Sequence, residues 1–99
     1  MSLSREQREQ TIKEFEKNTA MTELTREQIA LDLGTTTEKL ERIMQLASGS
    51  LEEPWIVRNY LIEKISDLGK EPVPFSALKG DHHMYWFLDA EKIDQKKID

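Results

Sequence analysis

Apolar residues recur at helical spacing along much of the chain, and this pattern predicts a mainly α-helical protein. The first helix is predicted to begin at Ser4, because Ser4 and Gln7 have the spacing of a capping box, and to run to about residue 18. Ile12 and Phe15 give this helix a narrow apolar stripe, so we expect its N-terminal half to face solvent.

Two short helices joined by a tight turn are predicted between residues 25 and 47. Thr25 with Gln28, and Thr35 with Glu38, repeat the capping-box spacing. Gly34 lies between them, where a glycine commonly ends a helix. The apolar residues of the two helices fall at helical spacing: Ile29, Ala30, Leu33, Leu40, Ile43, Met44 and Ala47.

A long helix is predicted over residues 51–68. Ser50 and Glu53 supply its start signal, Pro54 is tolerated in its first turn, and Gly69 ends it. Its apolar residues cover most of the circumference, which is typical of a buried central helix. They are Trp55, Ile56, Val57, Tyr60, Leu61, Ile62, Ile65 and Leu68.

The helical pattern gives way to extended backbone over residues 72–89, because Pro72 and Pro74 oppose a helix. Residues 85–88 are rich in aromatics and predict a buried strand, which would pair with residues 73–75. The expected fold is therefore a mainly α helix-turn-helix domain with a small C-terminal β-hairpin or extended aromatic segment. One more helical turn is predicted at residues 89–93, and the final residues are expected to be disordered.

Composition limits the class of protein. The 99 residues fit one domain, residues 1–99, with 37% hydrophobic and 33% charged residues. No apolar run approaches the roughly 20 residues of a membrane span. The start lacks a signal-peptide pattern, and cysteine is absent. We therefore expect a cytoplasmic protein without disulfides.

The segment from Arg26 to Gln45 resembles the helix-turn-helix of phage-repressor-like regulators. Ala30 supplies the small residue that the first helix of that motif needs, and Gly34 supplies the turn four residues later. The apolar positions of the interface between the two helices also match the motif, and they are Ile29, Leu33, Leu40 and Ile43. Thr35 is a departure, because it stands where the motif usually has an apolar residue.

In such a motif the second helix enters the major groove of DNA. The resemblance implies DNA contacts from Thr36, Thr37, Arg42 and Gln45, with Arg26 placed to meet the DNA backbone. Arginine can read guanine or bind phosphate, and glutamine can read adenine.

Acidic residues argue against DNA binding. Glu38 and Glu41 would lie on the reading face, and the chain carries a net charge of −5, whereas nucleic-acid binders usually present a basic patch. Two hypotheses follow. The first is a DNA-binding transcriptional regulator, expected to be a homodimer on double-stranded DNA, and the second is a protein-interaction module that keeps the fold without binding DNA.

Other candidate chemistry is weak. Asp81, His82 and His83 have metal-ligand side chains, yet neighbours on a strand point to opposite faces. The run at residues 85–87 fits core packing better than a stacking platform, since acidic residues follow it. No nucleophile signature or Gly-rich phosphate loop occurs. We therefore expect no enzyme, metal or cofactor.

Three segments give the whole chain a more specific likeness. They read LEEPWIVRNYL over residues 51–61, EPVPFSALKG over 71–80 and YWFL over 85–88. With them the chain resembles a family of small bacterial proteins, found mainly in Gram-positive species and catalogued as a domain of unknown function. The resemblance implies a bacterial origin and a shared fold, and it implies no activity.

Overall fold

The computed structural model describes residues 4–50, 52–78 and 88–98, and within these ranges the protein is mainly helical, as the pattern predicted. No strand occurs in the described ranges, and none of their helices is both long enough and apolar enough to cross a membrane. The helices are α1 (Arg5–Thr22), α2 (Arg26–Leu33), α3 (Thr37–Met44), α4 (Glu53–Asp67) and α5 (Ala90–Asp94).

Helix α1 begins with the predicted capping box. The Ser4 hydroxyl accepts from the Gln7 amide at 3.2 Å, and the Gln7 side chain accepts from the Ser4 amide at 2.8 Å. The helix continues to Thr22, one turn beyond the predicted end, and its buried side is largely polar. That side carries Thr11, Glu14, Phe15, Asn18, Thr19 and Thr22.

Three buried threonines of α1 bond within the helix itself, and one of them, Thr22, donates to the carbonyl of Thr19 at 2.7 Å. Thr11 donates to the carbonyl of Gln7, and Thr19 donates to the carbonyl of Phe15, each at 2.7 Å. A buried hydroxyl is costly only when it lacks a partner. The helix therefore buries polar residues at positions where an apolar stripe would be expected.

The connection between α2 and α3 differs in detail from the prediction. Gly34 ends α2 with a φ of 71°, a left-handed conformation that glycine adopts without strain. The predicted cap at Thr35 is wrong, because the Thr35 amide donates to the Ala30 carbonyl at 2.9 Å and belongs to the end of α2. Thr36 is extended instead, and its hydroxyl accepts from the Lys39 amide at 3.2 Å.

Helix α4 packs against α1, α3 and α5 and supplies much of the core. It spans Glu53–Asp67, whereas the sequence predicted residues 51–68. The Ser50 hydroxyl accepts from the amides of Glu52 and Glu53, both at 3.2 Å. The helix is packed on several sides, as predicted, while Glu63, Ser66 and Asp67 in its C-terminal half are exposed.

The segment after α4 is held by side chains of α1. The Asn18 amide group donates to the Val73 carbonyl at 3.0 Å, and its oxygen accepts from the Val73 amide at 2.8 Å. The Ser76 amide donates to the Glu14 carboxylate at 3.0 Å. The Phe15 and Phe75 rings meet edge to face, 5.2 Å apart.

This anchoring bears on the predicted hairpin. Asn18 takes both backbone polar groups of Val73, so residues 73–75 form no strand. The aromatic half of the predicted hairpin, residues 85–87, lies outside the described residues. Residues 72–78, called the strap below, lie against α1 as extended backbone without regular secondary structure.

The C-terminal residues are ordered against the core, so the prediction of a disordered end is wrong. Ile93 and Ile98 are buried. The Ile98 amide donates to the Leu33 carbonyl at 2.8 Å, and the Lys97 ammonium donates to the Asp32 carbonyl at 2.8 Å. Both bonds satisfy carbonyls at the C-terminus of α2, which a helix leaves free.

Candidate nucleic-acid interface

Helices α2 and α3 pack together through the apolar residues that the sequence singled out. All of those residues but one are buried, which leaves the polar residues of α3 to define its outer surface. The exception is Ala47, which is exposed and lies beyond the end of α3 at Met44. The buried set is Ile29, Ala30, Leu33, Leu40, Ile43 and Met44.

The outer stripe consists of Glu38 and Arg42 of α3 together with Gln45, the C-cap residue that follows the helix. Their spacing places them on one side of the helix, and all three are exposed. Within the described part of the chain, the side chains of Arg42 and Gln45 make no hydrogen bond or ion pair. Two of the predicted contact residues are therefore placed side by side and available to a ligand.

The two predicted threonines lie at the N-terminus of α3. Thr36 is exposed, but its hydroxyl oxygen already accepts the Lys39 amide. Thr37 is the first residue of α3 and is half-buried. Thr36 therefore has a structural role at the helix start, and any contact that it makes with DNA would have to preserve that bond.

Arg26 is joined to α3 by an ion pair. Its Nε lies 2.7 Å from Oε1 of Glu41, and its Nη1 lies 3.2 Å from Sδ of Met44. The two charged side chains are 38% and 44% exposed, so the pair stands at the edge of the outer stripe in contact with solvent. The guanidinium that the sequence assigned to a DNA phosphate thus faces a carboxylate of its own chain.

The opposite edge of α3 carries a second ion pair. The Lys39 ammonium lies 3.3 Å from the Glu53 carboxylate at the start of α4. The Glu53 side chain is only 8% exposed, so the positive charge of Lys39 compensates a largely buried negative charge. This pair joins α3 to α4.

The charges around the outer stripe consequently cancel. Arg26 is paired with Glu41, and Lys39 is paired with Glu53, which leaves Glu38 and Arg42 on the stripe itself. The local surface is therefore near neutral. The structure brings together the arginine and the glutamine that can read bases, but it does not assemble the basic patch on which most nucleic-acid binders depend.

Another acidic residue of α2 is turned away from this surface. The Asp32 carboxylate accepts from the Tyr60 hydroxyl at 2.6 Å and from the Gln28 side chain at 2.8 Å. The Tyr60 bond holds the pKa of Asp32 below its usual range. The negative charge of Asp32 is therefore stabilised by α4.

Sequence reasoning missed the partners of these charges. Arg26 and Glu41 lie on different helices, and so do Lys39 and Glu53. The rule that pairs residues three or four positions apart applies within one helix, so it cannot find them. Only the packing of α2 and α4 against α3 creates both ion pairs.

The remaining candidate residues fall outside the described part of the chain. They are Asp81, His82, His83 and the aromatic residues at 85–87. Among the described residues, no group of three or more histidines and carboxylates is placed to hold a metal ion. The expectation that the chain carries no metal stays a prediction.

Comparison with known proteins identifies a family whose description names no activity. No curated protein and no solved structure matches the chain. The family described as "Uncharacterized protein conserved in bacteria (DUF2316)" matches residues 1–89, nearly the full length, and the chain therefore belongs to this family of bacterial proteins.

Proposed function

We propose that this protein is a DNA-binding regulator in which α2 and α3 act as a helix-turn-helix and α3 enters the major groove. One observation carries the proposal: Arg42 of α3 and Gln45, the residue that directly follows α3, are both exposed, with no side-chain partner in the described ranges. Arginine and glutamine are the residue types that read guanine and adenine by paired hydrogen bonds.

The surroundings of this stripe support the same use. Two eight-residue helices are joined by the three residues 34–36 and share a buried apolar contact. A tight turn between two short packed helices supports the proposal, because in a helix-turn-helix the first helix crosses the DNA backbone and the second reads the groove. Thr36, Thr37 and Arg26 would then contribute contacts at the N-termini of the two helices.

A homodimer would suit this role. Two copies related by a two-fold axis would present two α3 helices about 34 Å apart, the length of one turn of DNA. Light scattering of the purified protein, alone and with a duplex, measures this stoichiometry directly.

The test of the proposal is fluorescence anisotropy with mixed-sequence duplex DNA at low and moderate salt. Binding should weaken steeply as salt rises, because phosphate contacts release counterions. The substitutions Arg42→Ala and Gln45→Ala should each weaken DNA binding relative to the wild type at the same salt concentration. Lys17→Ala, which removes an exposed charge from α1, is the matched control. Absence of binding at low salt would refute the proposal.

The alternative is a protein-interaction module, and one observation favours it. Leu31 of α2 is a large apolar side chain that is 72% exposed. Such side chains contribute to protein contacts when they form part of a larger patch. If DNA fails to bind, Leu31→Ser offers a variant with which to test partner binding by the same pair of helices.

A further inference from the structure

We infer that the Glu41 carboxylate competes with DNA phosphate for the Arg26 guanidinium and so sets the affinity of the α2–α3 surface for DNA. This inference rests on the proposed function. It concerns how that surface is regulated, and it starts from the ion pair between Arg26 and Glu41.

The geometry gives Arg26 two possible partners. Arg26 is the first residue of α2, the end of the helix that would approach the DNA backbone. Its Nε lies 2.7 Å from Glu41, while 38% of the side chain remains open to solvent. A phosphate arriving from the solvent side would meet a guanidinium whose charge is already balanced by a carboxylate.

The exchange of partners is energetically accessible. An ion pair whose two side chains are each more than a third exposed adds little stability, because water and salt screen it. A phosphate, like a carboxylate, can present two oxygens to a guanidinium, and arginine binds both through parallel hydrogen bonds. Glu41 would, however, have to withdraw, since its negative charge repels the incoming phosphate.

Glu38 provides an internal comparison. It is also a glutamate of α3 and is exposed, but no ion pair joins it to another described residue. Loss of its charge should relieve general repulsion of DNA without changing the state of Arg26. Loss of the Glu41 charge should relieve the same repulsion and should also release Arg26 from its ion pair.

The test is a double-mutant cycle measured by anisotropy over a series of salt concentrations. Glu41→Gln should tighten DNA binding and steepen the slope of log affinity against log salt by about 0.9, the contribution of one added phosphate contact. The steepening should vanish in an Arg26→Ala background. Glu38→Gln should tighten binding equally in both backgrounds and leave the slope unchanged.

The outcomes separate the two proposals. If neither the wild type nor any variant binds DNA, the proposed function fails, and the competition fails with it. If DNA binds but Glu41→Gln behaves like Glu38→Gln, only the competition is refuted. Nuclear magnetic resonance of the Arg26 Nε–H group adds an independent readout, since its signal should shift on DNA binding, and an unchanged signal in the bound state would also refute the competition.

Discussion

The Tyr60 hydroxyl donates a 2.6 Å hydrogen bond to the Asp32 carboxylate and thereby ties α4 to the last turn of α2. The same turn of α2 receives the bonds from Lys97 and Ile98. This corner of the molecule therefore joins three separate parts of the chain, immediately before the connection that leads into α3.

Removal of the Tyr60 hydroxyl should destabilise the protein modestly. Tyr60→Phe keeps the ring and deletes one hydrogen bond to a charged acceptor on a half-exposed site, so we expect a loss of about 1 kcal/mol in the free energy of unfolding. Urea denaturation at neutral pH measures it. Phe substitution at a site without such a bond is nearly neutral, so an unchanged midpoint would argue against the bond in solution.

The contribution of this bond should depend on pH at both ends of the range. The bond lowers the pKa of Asp32, so its stabilisation is present above the ordinary aspartate pKa, about 3.9, and is lost as pH falls below it. Burial, together with Asp32, raises the pKa of Tyr60. The stabilisation that depends on a protonated Tyr60 hydroxyl is present below the ordinary tyrosine pKa, about 10, and is lost as pH rises above it.

The stability difference between wild type and Tyr60→Phe across pH checks this prediction. The difference should form a plateau near neutrality and narrow on both sides. A difference that stays constant through acid and alkaline conditions would show that neither group is perturbed by the other.

The neighbouring threonines at the start of α3 should respond in opposite ways to the same substitution. Thr36→Val removes the hydroxyl that caps α3 and should cost about 1 kcal/mol. The Thr35 hydroxyl oxygen is buried with no hydrogen-bond partner in the described ranges, so Thr35→Val should be neutral or stabilising. Thermal unfolding of the two variants compares them, and the reverse order would place the cap at Thr35.

Asn18 should be among the most sensitive polar residues. Asn18→Ala leaves the amide and carbonyl of Val73 without their side-chain partner in a partly buried site, so we expect a loss of about 2–4 kcal/mol. Hydrogen exchange of the Val73 amide should accelerate as well. The exposed neighbour is the control, since Lys17→Ala should change stability by no more than about 0.5 kcal/mol.

The C-terminal helix should contribute to global stability although all of it follows the family match at residues 1–89. Ile93 is 2% exposed, so Ile93→Ala should cost about 2–4 kcal/mol through lost burial and the cavity left behind. Lys92→Ala, an exposed change in the same helix, should be nearly silent. Equal midpoints for the two variants in urea would indicate that α5 does not pack on the core.

Local signals in the sequence account for what was predictable. The start of α1 at Ser4 and the end of α2 at Gly34 depend on residues within one turn of the chain, and both follow the rules for helix ends. The prediction of the α3 cap failed because Thr35 and Glu38 have the capping-box spacing, whereas Thr36, a residue of the same type, caps the helix. A backbone bond from Thr35 to Ala30 decides between them, and no capping pattern contains that bond.

Tertiary contacts account for what was not predictable. Residues 73–75 have strand-like composition, yet the Asn18 side chain takes the backbone groups that a second strand would need. In the candidate site, Arg26 has the right type and position for a phosphate contact, and its pairing with Glu41 depends on how α2 lies against α3. Candidate site residues can therefore be chosen from the sequence, but their interaction partners can be identified only once the fold is known.

The anchoring of α1 has a kinetic consequence. Two of its buried polar side chains, Asn18 and Glu14, bond to Val73 and Ser76, which follow them by 55 and 62 residues. Contacts between residues so distant in sequence form late, because a long loop must close first. During synthesis, α1 leaves the ribosome well before the strap. Asn18 and Glu14 on its buried side therefore gain these hydrogen-bond partners only after residues near position 75 have been made.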